Sequence, residues 1–358
     1  MANEPALPPN STKILVTGAN GFVASHIVLE ALKLGYHVRG TVRNAEKAEA
    51  TKDLFQNHPK YSVVVVSDFA TALTEIEHAV DGVESMIHVA SDTSFSPDPT
   101  KVIPPVVNGI LNVLRAAAQE PKVKRFTLTS SSVSVIWQKA GGTPENTITV
   151  DSWNDESVEK AWRKPGPDGW PADQSAEVYC ASKVEGEKAF WKFVKEEKPH
   201  YVANTVLPNL NLGRILPGGQ PGGSGGAVSS LYHNQAFPGF APSKSSLISA
   251  EVLLTCCSAL HQCKRHCKVA PCSRGARWIA CEPECFAFAD EFNWNDVIDL
   301  IKEVRPDLRL TVHKDPKLGR DLTRVPKEQG SELLQKWFGQ IGYTSLKQSV
   351  KENLDGIV

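Results

Sequence analysis

From residue 13 to residue 208 the chain alternates short apolar runs with longer segments of helical period. Residues 14–16, 36–42, 63–66, 85–89, 123–128 and 202–207 are too short for helices and rich in Val, Ile and Leu, which predicts strands buried in a sheet. Between them, residues 24–34, 106–118 and 179–193 space their apolar side chains three and four apart, as helices packed on that sheet would. After Pro208 the texture changes. Residues 217–226 are Gly/Pro-rich and predict a loop at the surface or beside a site, and 292–304 form an amphipathic pattern stopped by Pro306. Two further helices are predicted at 331–339 and 345–354, and 138–175 is a long excursion rich in Gly, Pro, Trp and Asp.

The first strand leads into Thr17-Gly18-Ala19-Asn20-Gly21-Phe22-Val23-Ala24, a glycine-spaced turn opening a helix. Gly18 permits the unusual dihedrals of a tight turn, Gly21 leaves the free N–H groups of the helix start open to a pyrophosphate, and Ala24 lets helix and strand approach closely. Alone such a triplet is a weak signal, but here it sits inside a strand–helix–strand unit of about 30 residues. The expectation is α/β: a Rossmann doubly wound parallel sheet at 13–209 after a flexible tail at 1–12, with a smaller C-terminal mixed α/β substrate lobe at 210–358. The second strand carries Arg39 and ends at Arg43, with no acid before Glu46, which favours the 2′-phosphate of NADPH over a free ribose. Arg43 is the better placed of the two; solvated surface arginines are the alternative. Asp68 and Phe69 end the third strand, where adenine lies in such sheets. Ala90 and Ser91 end the fourth, where ribose or nicotinamide could approach the backbone.

Net charge is −1, so nothing steers the chain to nucleic acid or an anionic membrane, and no apolar run reaches the roughly 20 residues of a membrane span. The Pro-rich start lacks the features of a signal peptide, so a cytoplasmic protein is expected.

Thr129-Ser130-Ser131-Ser132 end the fifth strand, and Tyr179 and Lys183 form Tyr-x-x-x-Lys on a predicted helix, sharing one face. A phenol titrates near pH 10; a neighbouring ammonium is expected to pull it toward working pH and make it a general acid/base, with Ser131 binding the substrate oxygen. These motifs, with Val38-Arg39-Gly40-Thr41-Val42-Arg43 and His88-Val89-Ala90-Ser91, resemble the extended short-chain dehydrogenase/reductases, most closely the fungal NADPH-dependent aldehyde reductases (carbonyl reductases, ketoreductases). Plant dihydroflavonol and cinnamoyl-CoA reductases are relatives of that group. The resemblance covers residues 11 to about 240 and resumes from Phe286, marked by Phe292-Asn293-Trp294-Asn295-Asp296.

The resemblance implies that Tyr179 donates a proton, Lys183 holds the nicotinamide ribose and tunes Tyr179, and Ser131 binds the carbonyl. It implies that Gly18, Asn20, Gly21, Phe22 and Val23 line the phosphates, Arg43 with Arg39 takes the 2′-phosphate, and Asp68 and Phe69 take the adenine. Ala90, Ser91 and Pro208 would flank the nicotinamide. The partner is then a small-molecule carbonyl substrate, with Phe95, Leu210 and the 217–226 loop shaping its pocket, in a monomer or homodimer that needs no metal. An epimerase, dehydratase or hydroxysteroid dehydrogenase of the extended family is the enzymatic alternative, and a non-catalytic NADP-sensing protein the other.

Residues 242–285 break the pattern. Seven cysteines, Cys256, Cys257, Cys263, Cys267, Cys272, Cys281 and Cys285, stand where the resemblance predicts Val-x-Asp-Val/Ile-Ala-x-x-His. A zinc site using Cys263, Cys267, His261 or His266 has no familiar spacing, and a disulfide framework contradicts a cytoplasmic setting. A divergent loop is a third reading. A fourth is translation out of frame: codons permitted for 263–272, read one base later, allow Val-Lys-Asp-Ile-Ala-Lys-Leu-His-Leu-Ala, the missing motif.

Overall fold

A computed structural model describes residues 7–137, 145–219, 222–233, 245–249, 284–326 and 328–356. Apart from 245–249 and 284–285, the segment 242–285 and the readings of its cysteines lie outside the described residues. The nucleotide half runs β1 (Lys13–Val16), α1 (Phe22–Lys33), β2 (His37–Val42), α2 (Ala45–Leu54), β3 (Tyr61–Val65), α3 (Leu73–Val80), β4 (Ser85–His88), α4 (Pro99–Gln119), β5 (Arg125–Thr129), α5 (Asp155–Ala161), α6 (Gln174–Glu197) and β6 (Val202–Pro208). There follow β7 (Leu210–Leu212), α7 (Gly226–Tyr232), β8 (Ser245–Ser249), β9 (Glu284–Ala287), β10 (Glu291–Phe292), α8 (Trp294–Val304), α9 (Glu328–Phe338) and α10 (Leu346–Asp355).

Seven strands form one parallel sheet in the order β3-β2-β1-β4-β5-β6-β9. The apolar runs lack alternation because both faces are covered. On β1, Ile14 and Val16 join α1 in one core, while Leu15 packs with Ile76, Leu114 and Phe190 in the other. The order reverses between β1 and β4, which opens a crevice at the carboxyl ends of the strands, the position where ligands bind in sheets of this kind. The seventh strand comes from beyond residue 209: β9 pairs with β6, and Leu333 and Leu334 of α9 enter the α1 core.

The smaller lobe holds the sheet β10-β8-β7 and a core in which Leu210, Leu212, Val228, Phe292, Val297 and Val350 meet. Its helix α8 starts with a capping box, Asn293 accepting from the Asp296 N–H and Asp296 from the Asn293 N–H. Asn353 of α10 fastens the lobe to the chain after β7, its amide donating to the carbonyls of Gly213 at 2.7 Å and Gly225 at 3.0 Å.

Several helices differ from the sequence reading. Helix α4 begins at Pro99, where Asp98 caps Thr100, although Pro104 and Pro105 interrupt the periodic signal. The 138–175 excursion contains α5, started by the Asn154 side chain accepting from the Ser157 N–H. Helix α6 begins at Gln174, whose amide donates to the Ala161 carbonyl at 2.6 Å and ties the two helices together. The glycine-rich 217–226 stretch leads directly into α7.

Candidate active site

A cavity of about 740 Å³ occupies the crevice. One end is the glycine turn. Gly18 has φ +70° and donates its N–H to Thr41 Oγ1 at 3.1 Å, and a Cβ there would meet Ala90 at 3.3 Å. No side chain caps the start of α1 and its first turn holds no acid, so the N–H groups of this turn suit a phosphate anion. Asn20, Gly21, Phe22 and Val23 line this end.

The far wall separates the two arginines. Arg43 lines the cavity, joined by Lys47, which sequence reasoning missed although the Arg43-Asn44-x-x-Lys47 spacing sets both at the capped start of α2. Arg39 does not line it. Its guanidinium donates to the carbonyls of Ala79 and Asp81, both at 2.8 Å, and of His78 at 3.3 Å. The expectation that Arg39 shares the 2′-phosphate is therefore corrected: it lies inside β2, and the exposed carbonyls at the end of α3, the negative end of that helix, hold it there. Asp68 accepts from the Ala70 N–H at 2.8 Å and from the Thr71 hydroxyl at 2.9 Å, and it lines the cavity beside Phe69.

At the other end Ser131, Tyr179 and Lys183 converge, with Ala90, Ser91, Phe95, Pro208 and Leu210 around them. Gly222, Gly223 and Ser224 of the glycine-rich loop also reach this cavity. The Lys183 ammonium lies 5.8 Å from the centre of the Tyr179 ring, and the Ser131 hydroxyl donates to the Pro208 carbonyl at 3.4 Å. Tyr179 is half-buried in the wall, and burial pushes the phenol up to about 12. The expected pull toward neutrality is thus outweighed. Burial acts on the lysine too, lowering it to about 8 against the opposing influence of the Glu187 carboxylate, so the pair resists being charged on both sides. Phe95 reaches the site from a left-handed backbone at φ +53°, its ring centre 5.1 Å from that of Tyr179.

Beneath the floor lies a dyad the sequence did not reveal. Thr17 Oγ1 accepts from the N–H groups of Val89 at 2.9 Å and Ala90 at 3.0 Å, which occupies both lone pairs. Its own proton therefore goes to His88 Nδ1, 3.0 Å away, and His88 is the neutral tautomer protonated at Nε2. Burial, aided by the Lys183 charge, takes this imidazole down to about 3.

Comparison with known proteins bears on this geometry. Residues 18–163 match a family described as NAD(P)H-binding. The chain is 36% identical to aldehyde reductase 2 of Sporidiobolus salmonicolor over 97% of its own length and 96% of that protein's. The chain belongs to the extended short-chain dehydrogenase/reductases. As a member of that family it is an oxidoreductase with a nicotinamide dinucleotide cofactor. A second relative in the family, 36% identical over 98% of this chain and 97% of its own, is the NAD-dependent epimerase/dehydratase terH of Aspergillus terreus. The fold is shared with Gre2 of Candida albicans, solved in complex with NADPH, at a TM-score of 0.77 and 23% identity over 97% of this chain and 98% of that one. Among the described residues no helix is long and apolar enough to cross a membrane.

The site suits the family's cofactor on its own features: a glycine cradle that a Cβ would crowd, a helix start without acid, and two cations at the adenosine end. Thr129 Oγ1 and Asn211 Oδ1, both buried on residues of the wall, have no partner among the described residues.

Proposed function

We propose that the protein reduces an aldehyde or ketone to an alcohol with NADPH, Tyr179 being the proton donor. The observation that carries the reading is the meeting, in one cavity, of Ser131, Tyr179 and Lys183 at one end with the glycine turn, Arg43 and Lys47 at the other. Bound NADPH would supply the hydride. Arg43 and Lys47 would hold its 2′-phosphate, Asp68 and Phe69 the adenine, and Ala90, Ser91 and Pro208 the nicotinamide.

Ser131 donates its hydroxyl hydrogen to the carbonyl oxygen and fixes the angle at which the carbon is presented. Tyr179 gives its proton to that oxygen as negative charge develops there. A phenol held protonated by enclosure is ready for this at any working pH, and the Lys183 ammonium stabilises the phenolate once the proton has left. Phe95 packs its ring against that of Tyr179, 5.1 Å between centres, and would help to fix the phenol's position.

The test is NADPH oxidation against a panel of aromatic aldehydes and β-ketoesters. Tyr179→Phe should lower kcat by about 10²–10⁴-fold while leaving NADPH affinity near wild type. Wild-type turnover in that variant removes the assigned donor. Release of a dehydrated or epimerised product without net NADPH consumption would move the protein to the epimerase/dehydratase alternative.

A further inference from the structure

We propose that Glu187 is a positioning residue of this site, fixing the turn that carries Ser131 while supplying the counter-charge of Lys183, so that the hydroxyl and ammonium halves stay in register. The inference rests on the reductase reading above and deepens it.

Tyr179, Lys183 and Glu187 recur every fourth residue of α6 and so share one face of the helix. Glu187 is 1% exposed, and a carboxylate so deeply buried is costly unless it is paired. Its partners are specific. Ser130 donates its hydroxyl to Glu187 Oε2 at 2.6 Å, and the Trp191 indole N–H donates to Oε1 at 3.4 Å. Ser134 Oγ lies 2.7 Å from Oε2 and also 2.7 Å from the Ser131 carbonyl oxygen, so its one proton is shared between carboxylate and backbone. The Ser130 N–H is fixed in turn to the Val206 carbonyl at 2.8 Å. Ser131 is therefore bracketed by two neighbours that both answer to one acid on the helix bearing Tyr179 and Lys183.

The same acid acts on Lys183. The groups facing that ammonium are Tyr179 and Glu187 from α6, His88 from β4 and the uncharged Ser131 hydroxyl from the turn after β5. His88 is kept neutral by burial and by the Lys183 charge itself, so the charge that opposes burial of the ammonium is that of Glu187. A packing role alone would account for burial, but it requires neither a carboxylate nor three hydrogen-bond donors converging on it.

The experiment uses the full chain and compares Glu187→Gln with the double variant Ser130→Ala/Ser134→Ala. NADPH binding followed by fluorescence checks the fold, and kcat is measured against pH on a carbonyl that the wild type reduces. Glu187→Gln keeps the shape and removes the charge. Its kcat should fall about tenfold or more, and the alkaline limb of its profile should move to lower pH, because Lys183 loses the influence that keeps it protonated. The serine double variant keeps the charge and loses the bracket. Its kcat should fall similarly with the limb at the wild-type pH. Wild-type kcat in either variant, or a Glu187→Gln limb that does not move, overturns the proposal. If Glu187→Gln binds no NADPH, the serine variant decides: unchanged kcat refutes positioning, and a fall at unmoved limb supports it. A wild type that turns over while both variants match it sinks this inference alone; a wild type that binds NADPH yet reduces no carbonyl sinks the reductase reading and this inference with it.

Discussion

The Thr17–His88 dyad makes stability depend on pH between neutrality and mild acid. The imidazole is 3% exposed, and its folded value of about 3 lies far below the 6.5 of a free histidine. With the folded value depressed, the unfolded chain takes up this proton first. The contribution is complete above about pH 6.5, is lost as pH falls, and is spent once pH reaches the folded value. Between pH 7 and pH 5 the unfolded imidazole becomes almost fully protonated while the folded one stays neutral. This corresponds to about 2 kcal/mol of lost stability, out of about 5 kcal/mol for the whole shift. The assay is urea unfolding at both pH values for the wild type and for His88→Asn, which cannot titrate but still offers an acceptor to Thr17. His26 is likewise buried and lowered, and the carboxyls of Glu75, Asp98, Glu120 and Asp307 are lowered by hydrogen bonds; all persist in the variant and cancel in the comparison. The wild type should lose about 2 kcal/mol more than the variant. Equal losses would refute the neutral, enclosed imidazole and the tautomer assigned to it.

The two cations of the β2 region should separate cleanly by substitution. Lys47→Ala should raise the KM for NADPH by about tenfold and leave that for NADH unchanged, whereas Arg39→Ala should lower the melting temperature through about 1 kcal/mol and leave the NADPH/NADH ratio alone. Equal effects of both on that ratio would contradict the geometry. At Gly40 an added Cβ would lie 2.5 Å from Tyr61 Oη and 2.7 Å from Ala19 Cβ, so Gly40→Ala should cost about 1–3 kcal/mol in urea unfolding. The Tyr61 hydroxyl has no partner among the described residues, so adding Tyr61→Phe should recover part of that loss; no recovery would show that Ala19 is the obstacle.

The architecture was legible because both of its signals are local. The unalternating run at Ile14, Leu15 and Val16 announces a strand covered on both faces, and the Gly18–Gly21 spacing announces the turn that follows it. Tyr179 and Lys183 were legible for the same reason, as four-residue spacing on a helix is a sequence property. What escaped depends on contacts far along the chain. The fate of Arg39 is decided by where α3 ends, some 40 residues later. Glu187 was in plain view, but its meaning lies in Ser130 and Ser134, which only folding brings to it. The titration of Tyr179 went opposite to expectation because spacing reports the neighbouring amine but not the depth of the phenol.

The strand β9 has a bearing on how the protein is made. It supplies the outermost position of the nucleotide sheet, next to β6, yet it is encoded some 75 residues after β6 ends, with α9 later still. A nascent chain that has emerged only through Pro208 therefore carries a bare strand margin and an uncovered flank on α1, both prone to pairing with another molecule. Cofactor and substrate halves cannot be expressed apart as working pieces. A break in the chain between Ser224 and β9 would strip the nucleotide sheet of its border while leaving in place every residue of the cavity wall.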